Sequence, residues 1–376
     1  MHVGRSRVLP VMTMVLLTLA AATTIAQQVG RLTYVEGDVQ LLRDGEIREE
    51  QEIDIGEAIL NLDVIQTGFD GYAEVELTVP SNMTVRIQEN AAYYVEQVTG
   101  GDRTSVTVRL LSGRLEMAVS ELSRGASLSV ETQTATLGVR GTEFDVLVAP
   151  DEGTLFGVRD GRVEVTAGGR RIAAEAGTAV EALSDRGPRA EPVPDGDFDS
   201  YYSTWTEVRL RAFRSGAPTF IRAYARRYLD TRDTFENAYR DLVALRPRLE
   251  DAVRQGQRSL GADMRLRSEM SPAIIRMRSV LPMFETTVYR LRELQRFHDQ
   301  GIGRTQIDER SSTEFFRAFA MEERELLRRL AEVRTIFRLY SEIDERSFGG
   351  LPSGRSEDGN SPFGSDGGSL LDSMRF

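Results

Sequence analysis

The chain has 376 residues, 40% hydrophobic, with 47 Lys+Arg against 58 Asp+Glu and a formal charge of -11; that length gives room for about two or three domains. The acidic balance argues against a nucleic-acid binder, whose affinity comes from neutralising phosphates. Every basic residue other than His is Arg and there is no Cys, which excludes Schiff-base and phosphate-loop lysines, thiol nucleophiles, disulfides and Cys-based zinc sites.

At the N-terminus, Arg5 and Arg7 precede an apolar run from Val8 to Ala22, and the small residues Thr24 and Ala26 follow. This is the pattern of a secretory signal peptide spanning residues 1–26, cut after Ala26. The competing reading is an uncleaved anchor in the inner membrane. The shortness of the run, together with Pro10, favours cleavage. An exported chain without disulfides fits a bacterial periplasm. No other segment approaches transmembrane length, so no integral membrane domain is expected after cleavage.

Residues 29–183 carry the punctuation of an all-β domain. Ala73, Val75, Leu77 and Val79 alternate with Glu74, Glu76 and Thr78, the period of a half-buried strand. A local pattern recurs at Gly37-Asp38-Val39, Gly113-Arg114-Leu115 and Gly161-Arg162-Val163, with a weaker echo at Gly177-Thr178-Ala179. Its irregular spacing argues against a strict solenoid and for stacked, similar β-layers, either a β-roll or a sandwich of hairpins.

Residues 184–197 (SDRGPRAEPVPDGD) have the composition of a linker. Beyond it the period changes to that of helices over residues 198–346. A short helix from Phe198 to Phe213 leads in. Three long helices follow, with seams at Ile221, Tyr224 and Tyr228, at Ile274, Met277 and Leu281, and at Leu326, Leu330 and Val333. The expected arrangement is an antiparallel, coiled-coil-like bundle. Pro218 and Pro272 suit first helical turns, Ser311–Glu314 suits a capping box, and Pro247 and Pro282 should kink or break their helices. Residues 347–376 read as a disordered Gly/Ser/Asp-rich tail.

Thr134–Val148 (TATLGVRGTEFDVLV) invites a phosphate-loop reading, but it has neither the spacing nor the lysine. A structural reading fits better. The apolar phase moves from Ala135, Leu137 and Val139 to Phe144, Val146 and Val148, which requires a bulge or corner between them. Gly141 is the natural hinge, and Arg140 can pair with Glu143 or with nearby carbonyls. Asp195–Asp199 (DGDFD) lacks the Gly and Glu of a calcium loop and suits helix capping. His298 suits a helix C-terminal cap. No nucleophile–base spacing or inward carboxylate pair stands out, so a non-enzymatic protein without metal or cofactor is expected, a carboxylate-pair glycan hydrolase being the catalytic competitor.

The stretch built on Gly138, Arg140, Gly141, Thr142 and Phe144 resembles the signature of FecR-type domains. Asp63–Gly68 with Gly71–Val75, and Gly157–Val165, resemble further segments of that family in the same order, over about residues 30–182. The resemblance implies a periplasmic β-domain. The named members are inner-membrane transducers that sense an outer-membrane receptor and regulate a sigma factor. Only Met1–Arg7 precede the apolar run here, so a cytoplasmic regulatory segment is not expected. The reading is an exported binding or scaffold module for an envelope protein or polymer, with self-association through the helices left open. The alternative is a sensing component of a FecR-type pathway that signals through a separate partner.

Overall fold

The computed structural model describes residues 28–100, 103–184, 186–256 and 260–349; the expected signal peptide and all but the first residues of the expected tail lie outside them. The β-region comprises β1 (Gln28–Glu36), β2 (Val39–Arg43), β3 (Glu46–Glu49), β4 (Ala58–Leu60), β5 (Val64–Thr67), β6 (Tyr72–Leu77), β7 (Met83–Ile87), β8 (Ala92–Gly100) and β9 (Arg103–Val119). It continues with β10 (Ala126–Glu131), β11 (Ala135–Val139), β12 (Glu143–Val148), β13 (Thr154–Asp160), β14 (Arg162–Ala167), β15 (Arg170–Glu175), β16 (Thr178–Leu183) and β17 (Arg186–Pro192).

These strands form two layers that share β9. The first runs in the order β4, β1, β6, β7, β9, β12, β13, β16, β17. The second runs β3, β2, β5, β8, β9, β10, β11, β14, β15. Neighbours are antiparallel except β9 and β10, which are parallel. Leu32, Val75, Val85 and Phe144 of the first layer meet Leu41, Ile65, Tyr93 and Val108 of the second in one core.

The recurring glycine tag marks places where the chain changes layer. Gly37 lies between β1 and β2, Gly113 where β9 passes from the second layer to the first, Gly161 between β13 and β14, and Gly177 between β15 and β16. Their φ values are 72°, 82°, 81° and 82°, in the left-handed region that only glycine enters without a Cβ penalty. A repeated sequence tag thus corresponds to a repeated corner.

Residues 184–197 are not a linker. β17 pairs with β16 from Thr178↔Pro192 to Leu183↔Arg186. Proline is tolerated there because an edge strand has outward N–H groups that need no ladder partner, so the composition of a linker and of a proline-bearing edge strand coincide.

The helical region consists of α1 (Phe198–Val243), α2 (Arg246–Arg254), α3 (Leu260–Asp299) and α4 (Ser312–Gly349), with a small hairpin, β18 (Gln306–Ile307) and β19 (Arg310–Ser311), before α4. The expected lead-in helix is continuous with the next one, and Pro218 lies inside α1. Pro272 and Pro282 likewise lie inside α3. Pro272 is exposed, as is Ser268, whose carbonyl loses its partner, so solvent can replace that bond. Pro247 stands at the start of α2, where the chain does break.

The expected seams are buried. At their centre Phe235 of α1 stacks on Phe284 of α3, with ring centroids 4.0 Å apart. The capping box at α4 is present: Glu314 N–H donates to Ser311 Oγ (3.2 Å), and Ser311 N–H to Glu314 Oε2 (2.9 Å).

His298 does not cap α3 with its side chain. Its ring is buried and its Nε2 lies 3.0 Å from Ser312 Oγ, tying the end of α3 to the start of α4. Burial holds the imidazole below its ordinary value, so the unfolded chain binds this proton more readily. The contribution of His298 is therefore present above about pH 6.5 and lost as pH falls. The loss of stability between neutral pH and about pH 5 should be smaller in His298→Gln than in the parent, as read by urea unfolding at each pH.

Candidate functional site

The signature corner joins β11 in the second layer to β12 in the first. Gly141 turns it at φ 61°. Thr142 is buried, and its carbonyl accepts from Val119 N–H (3.0 Å). Phe144 enters the sandwich core. The second corner, at Gly161, rests on the first: a Cβ there would come within 2.6 Å of Thr142 Cγ2 and 2.8 Å of the Gly141 carbonyl. Two layer changes are therefore stacked, one on the other.

Gly138 plays a different part. A Cβ added there would meet nothing closer than 3.9 Å, so its lack of a side chain is not demanded by this packing. Gly161→Ala should cost roughly 2 kcal/mol or more, from the left-handed backbone and the overlap with Thr142. Gly138→Ala should stay within about 0.5 kcal/mol. Equal shifts of the two urea midpoints would refute the stacking argument.

Arg140 is exposed at the tip of the corner and makes no ion pair with Glu143 among the described residues. It lies between two open clefts and lines both, as does Glu121. One, of about 710 Å³, is edged by Glu76, Glu143 and Asp160. The other, of about 930 Å³, is edged by Arg124, Arg162 and Glu164. Thr142 and Phe144 are consumed in building the corner, which leaves Arg140 as its outward charge. A guanidinium so placed can grip a carboxylate or a carbonyl pair with forked donors.

Beneath the corner lies a buried group that sequence patterning did not single out. Asp145, fully buried on the outer face of β12, receives Arg114 Nη2 (3.0 Å), Arg159 Nε (2.7 Å) and the Tyr202 hydroxyl (2.8 Å). Tyr202 stands on the second turn of α1, whose cap is Asp197, accepting from Ser200 N–H at 3.1 Å. Gly157 faces Asp145 across the β12–β13 ladder. A Cβ on Gly157 would overlap the Tyr202 hydroxyl, so glycine there leaves the space through which Tyr202 reaches Asp145. The available signal was an acidic residue inside FDVLV, the otherwise apolar part of β12 after the exposed Glu143.

The helices are also clamped to the second layer. Leu42, Val64, Ala92 and Tyr94 join the helical core rather than the sandwich core. Glu285 and Arg334, both 2% exposed, form an ion pair against Tyr94. The Tyr94 hydroxyl donates to Glu285 Oε2 (3.3 Å), and the Arg334 guanidinium lies 4.5 Å from the Tyr94 ring centre. Arg338 reaches Asp63 (3.3 Å), the Asn61 carbonyl (3.2 Å) and Asp44. Arg290 donates to the Ala149 carbonyl (2.9 Å).

No helix of the described residues is long and apolar enough to cross a membrane. Residues 63–164, from just before β5 into β14, match the family model described as FecR protein, and the chain carries a FecR domain there. Two crystal structures of a "putative anti-sigma factor" from Parabacteroides distasonis ATCC 8503 are also similar, at 18% and 20% identity and TM-scores of 0.31 and 0.30. The similarity covers 37% and 34% of this chain and 64% and 59% of those structures, less than two thirds of their length. No curated protein matches the chain.

Proposed function

We propose that this FecR-domain protein is an exported, non-catalytic binding module, in which the signature corner presents Arg140 to an envelope protein or polymer and the clamped helices hold that corner at a fixed distance from other contacts. The observation that carries the reading is the division of labour at the corner: Thr142 and Phe144 are buried in building it, whereas Arg140 is exposed between two open, charged clefts. Clefts that set charged side chains beside aliphatic ones such as Leu122 and Val163 suit recognition of a polar or charged chain with some apolar groups. Export rests on the sequence of residues 1–26, and we place the mature chain in the periplasm.

The test is capture by the full chain from solubilised envelope fractions and from isolated peptidoglycan, compared with Arg140→Glu. A genuine occupant should be retained at least about tenfold less by the variant, while the urea midpoint stays unchanged because Arg140 makes no buried contact. Equal retention by both proteins would remove the corner from the binding surface.

A further inference from the structure

We infer that α3 carries a self-complementary stripe through which two copies of this chain associate antiparallel. Met264, Ser268, Pro272, Ile275, Ser279 and Met283 lie within an arc of about 100° on this helix, and all six are exposed. Met264, Ile275 and Met283 are 56%, 42% and 57% exposed. In a chain that is 28% charged, these six positions are uncharged over roughly 28 Å of helix, and the charge that falls within the arc, the exposed Arg265, stands at its edge.

The spacing identifies the occupant. The steps along the stripe are four, four, three, four and four residues, so the pattern is the same in both directions, with its centre between Pro272 and Ile275. Methionine answers methionine and serine answers serine about that centre. A twofold axis there generates an isologous contact, in which residue i meets j and j meets i. Ser268 falls opposite the partner's Ser279, Met264 falls beside the partner's Pro282 and Met283, and Ile275 and Pro272 gather about the axis. The serines are small enough for the helices to approach to about 8–10 Å.

The margins agree with this pairing. Glu269 and Arg276 border one side, where Arg248 (2.8 Å) and Asp241 of the same chain neutralise them, so this margin sets no uncompensated like charges against its copy across the axis. On the other side Arg267 and Arg278 are drawn onto their own chain by Asp344 (2.6 Å) and Glu96 (3.5 Å), which keeps their charges off the stripe. One helix pair of this length buries less than the roughly 800 Å² per partner of a standard interface. The dimer should therefore be reversible and dependent on concentration.

Sedimentation of the full chain from about 1 to about 200 µM should show a monomer passing to a dimer. Ile275→Glu, which sets two carboxylates near the axis, should abolish the dimer and leave the thermal unfolding curve unchanged, since Ile275 is exposed. The chain has no cysteine, so introduced thiols map the register. An equimolar mixture of Ser268→Cys and Ser279→Cys should form a mixed disulfide at least about tenfold faster than either variant alone. A monomer at every concentration, or homodisulfides forming as fast as the mixed one, would overturn the inference.

Discussion

Replacing Glu285 by Ala should lower the unfolding free energy by about 3–5 kcal/mol, because it strands the Arg334 guanidinium in the interior. Both side chains are almost wholly enclosed between α3, α4 and β8. Burial pushes the Arg334 guanidinium down to about 10, which is still above neutral pH, so the intact protein encloses a charged group here. The exposed pair Arg254 and Asp251 on α2 serves as the contrast, where Asp251→Ala should cost about 0–1 kcal/mol.

The double replacement separates two accounts of the same loss. If the cost comes from an orphaned charge, then Glu285→Leu combined with Arg334→Met should recover most of it, ending near the parent or about 1–4 kcal/mol above it. If the cost comes from lost shape and packing, the double variant should remain as unstable as the single one. Urea midpoints with unchanged slopes read the difference. A Glu285→Ala variant no less stable than Asp251→Ala would show that the pair does not carry the clamp.

This interface explains why some of the architecture was legible in the sequence and some was not. Alternation along β6 and the 3–4 spacing of Ile274, Met277, Leu281 and Phe284 each report a single buried face, and both reappear as such in the fold. Val333–Arg338 is different: every residue in VRTIFR is buried, although two are arginines and one is threonine. Hydrophobic periodicity treats Arg334 and Arg338 as solvent-facing, because it has no means of knowing that Glu285 and Asp63 lie opposite them. The strand at residues 186–192 was hidden for a similar reason, since its prolines are acceptable only at an edge.

At the signature corner the legible part was the backbone. The shift of apolar phase between Val139 and Phe144 required a corner, and the chain changes layer there. The illegible part was the pairing across it. Nothing in the spacing places Gly161 on Thr142, or Gly157 beneath Tyr202, because those contacts join turns brought together by strand order. Arg140 and Glu143, adjacent enough in sequence to pair, instead remain apart at an exposed tip.

Asp145→Ala should cost about 2–4 kcal/mol and detach the start of α1 from the β-region. The carboxylate holds three donors at once, two of them arginines that are 24% and 30% exposed, so solvent offsets part of the loss. The Tyr202 hydroxyl has no such relief. Burial, and then the Asp145 charge, raise it far above the ordinary tyrosine value, so it remains a proton donor facing an emptied site. Tyr202→Phe should cost less, about 1–2 kcal/mol, because the ring keeps its packing. Gly157→Val attacks the same contact from the opposite strand without touching a charge, by filling the space that Tyr202 occupies. A local reporter is built in: Trp205, the sole tryptophan, lies one helical turn beyond Tyr202 and donates to Glu181 (2.8 Å). In Asp145→Ala and Gly157→Val its emission should shift to the red at urea concentrations well below global unfolding, whereas Tyr202→Phe should keep the parental spectrum. If Trp205 emission changes only with the global transition in both disruptive variants, Asp145 is a stability element of the sandwich and not the latch of α1.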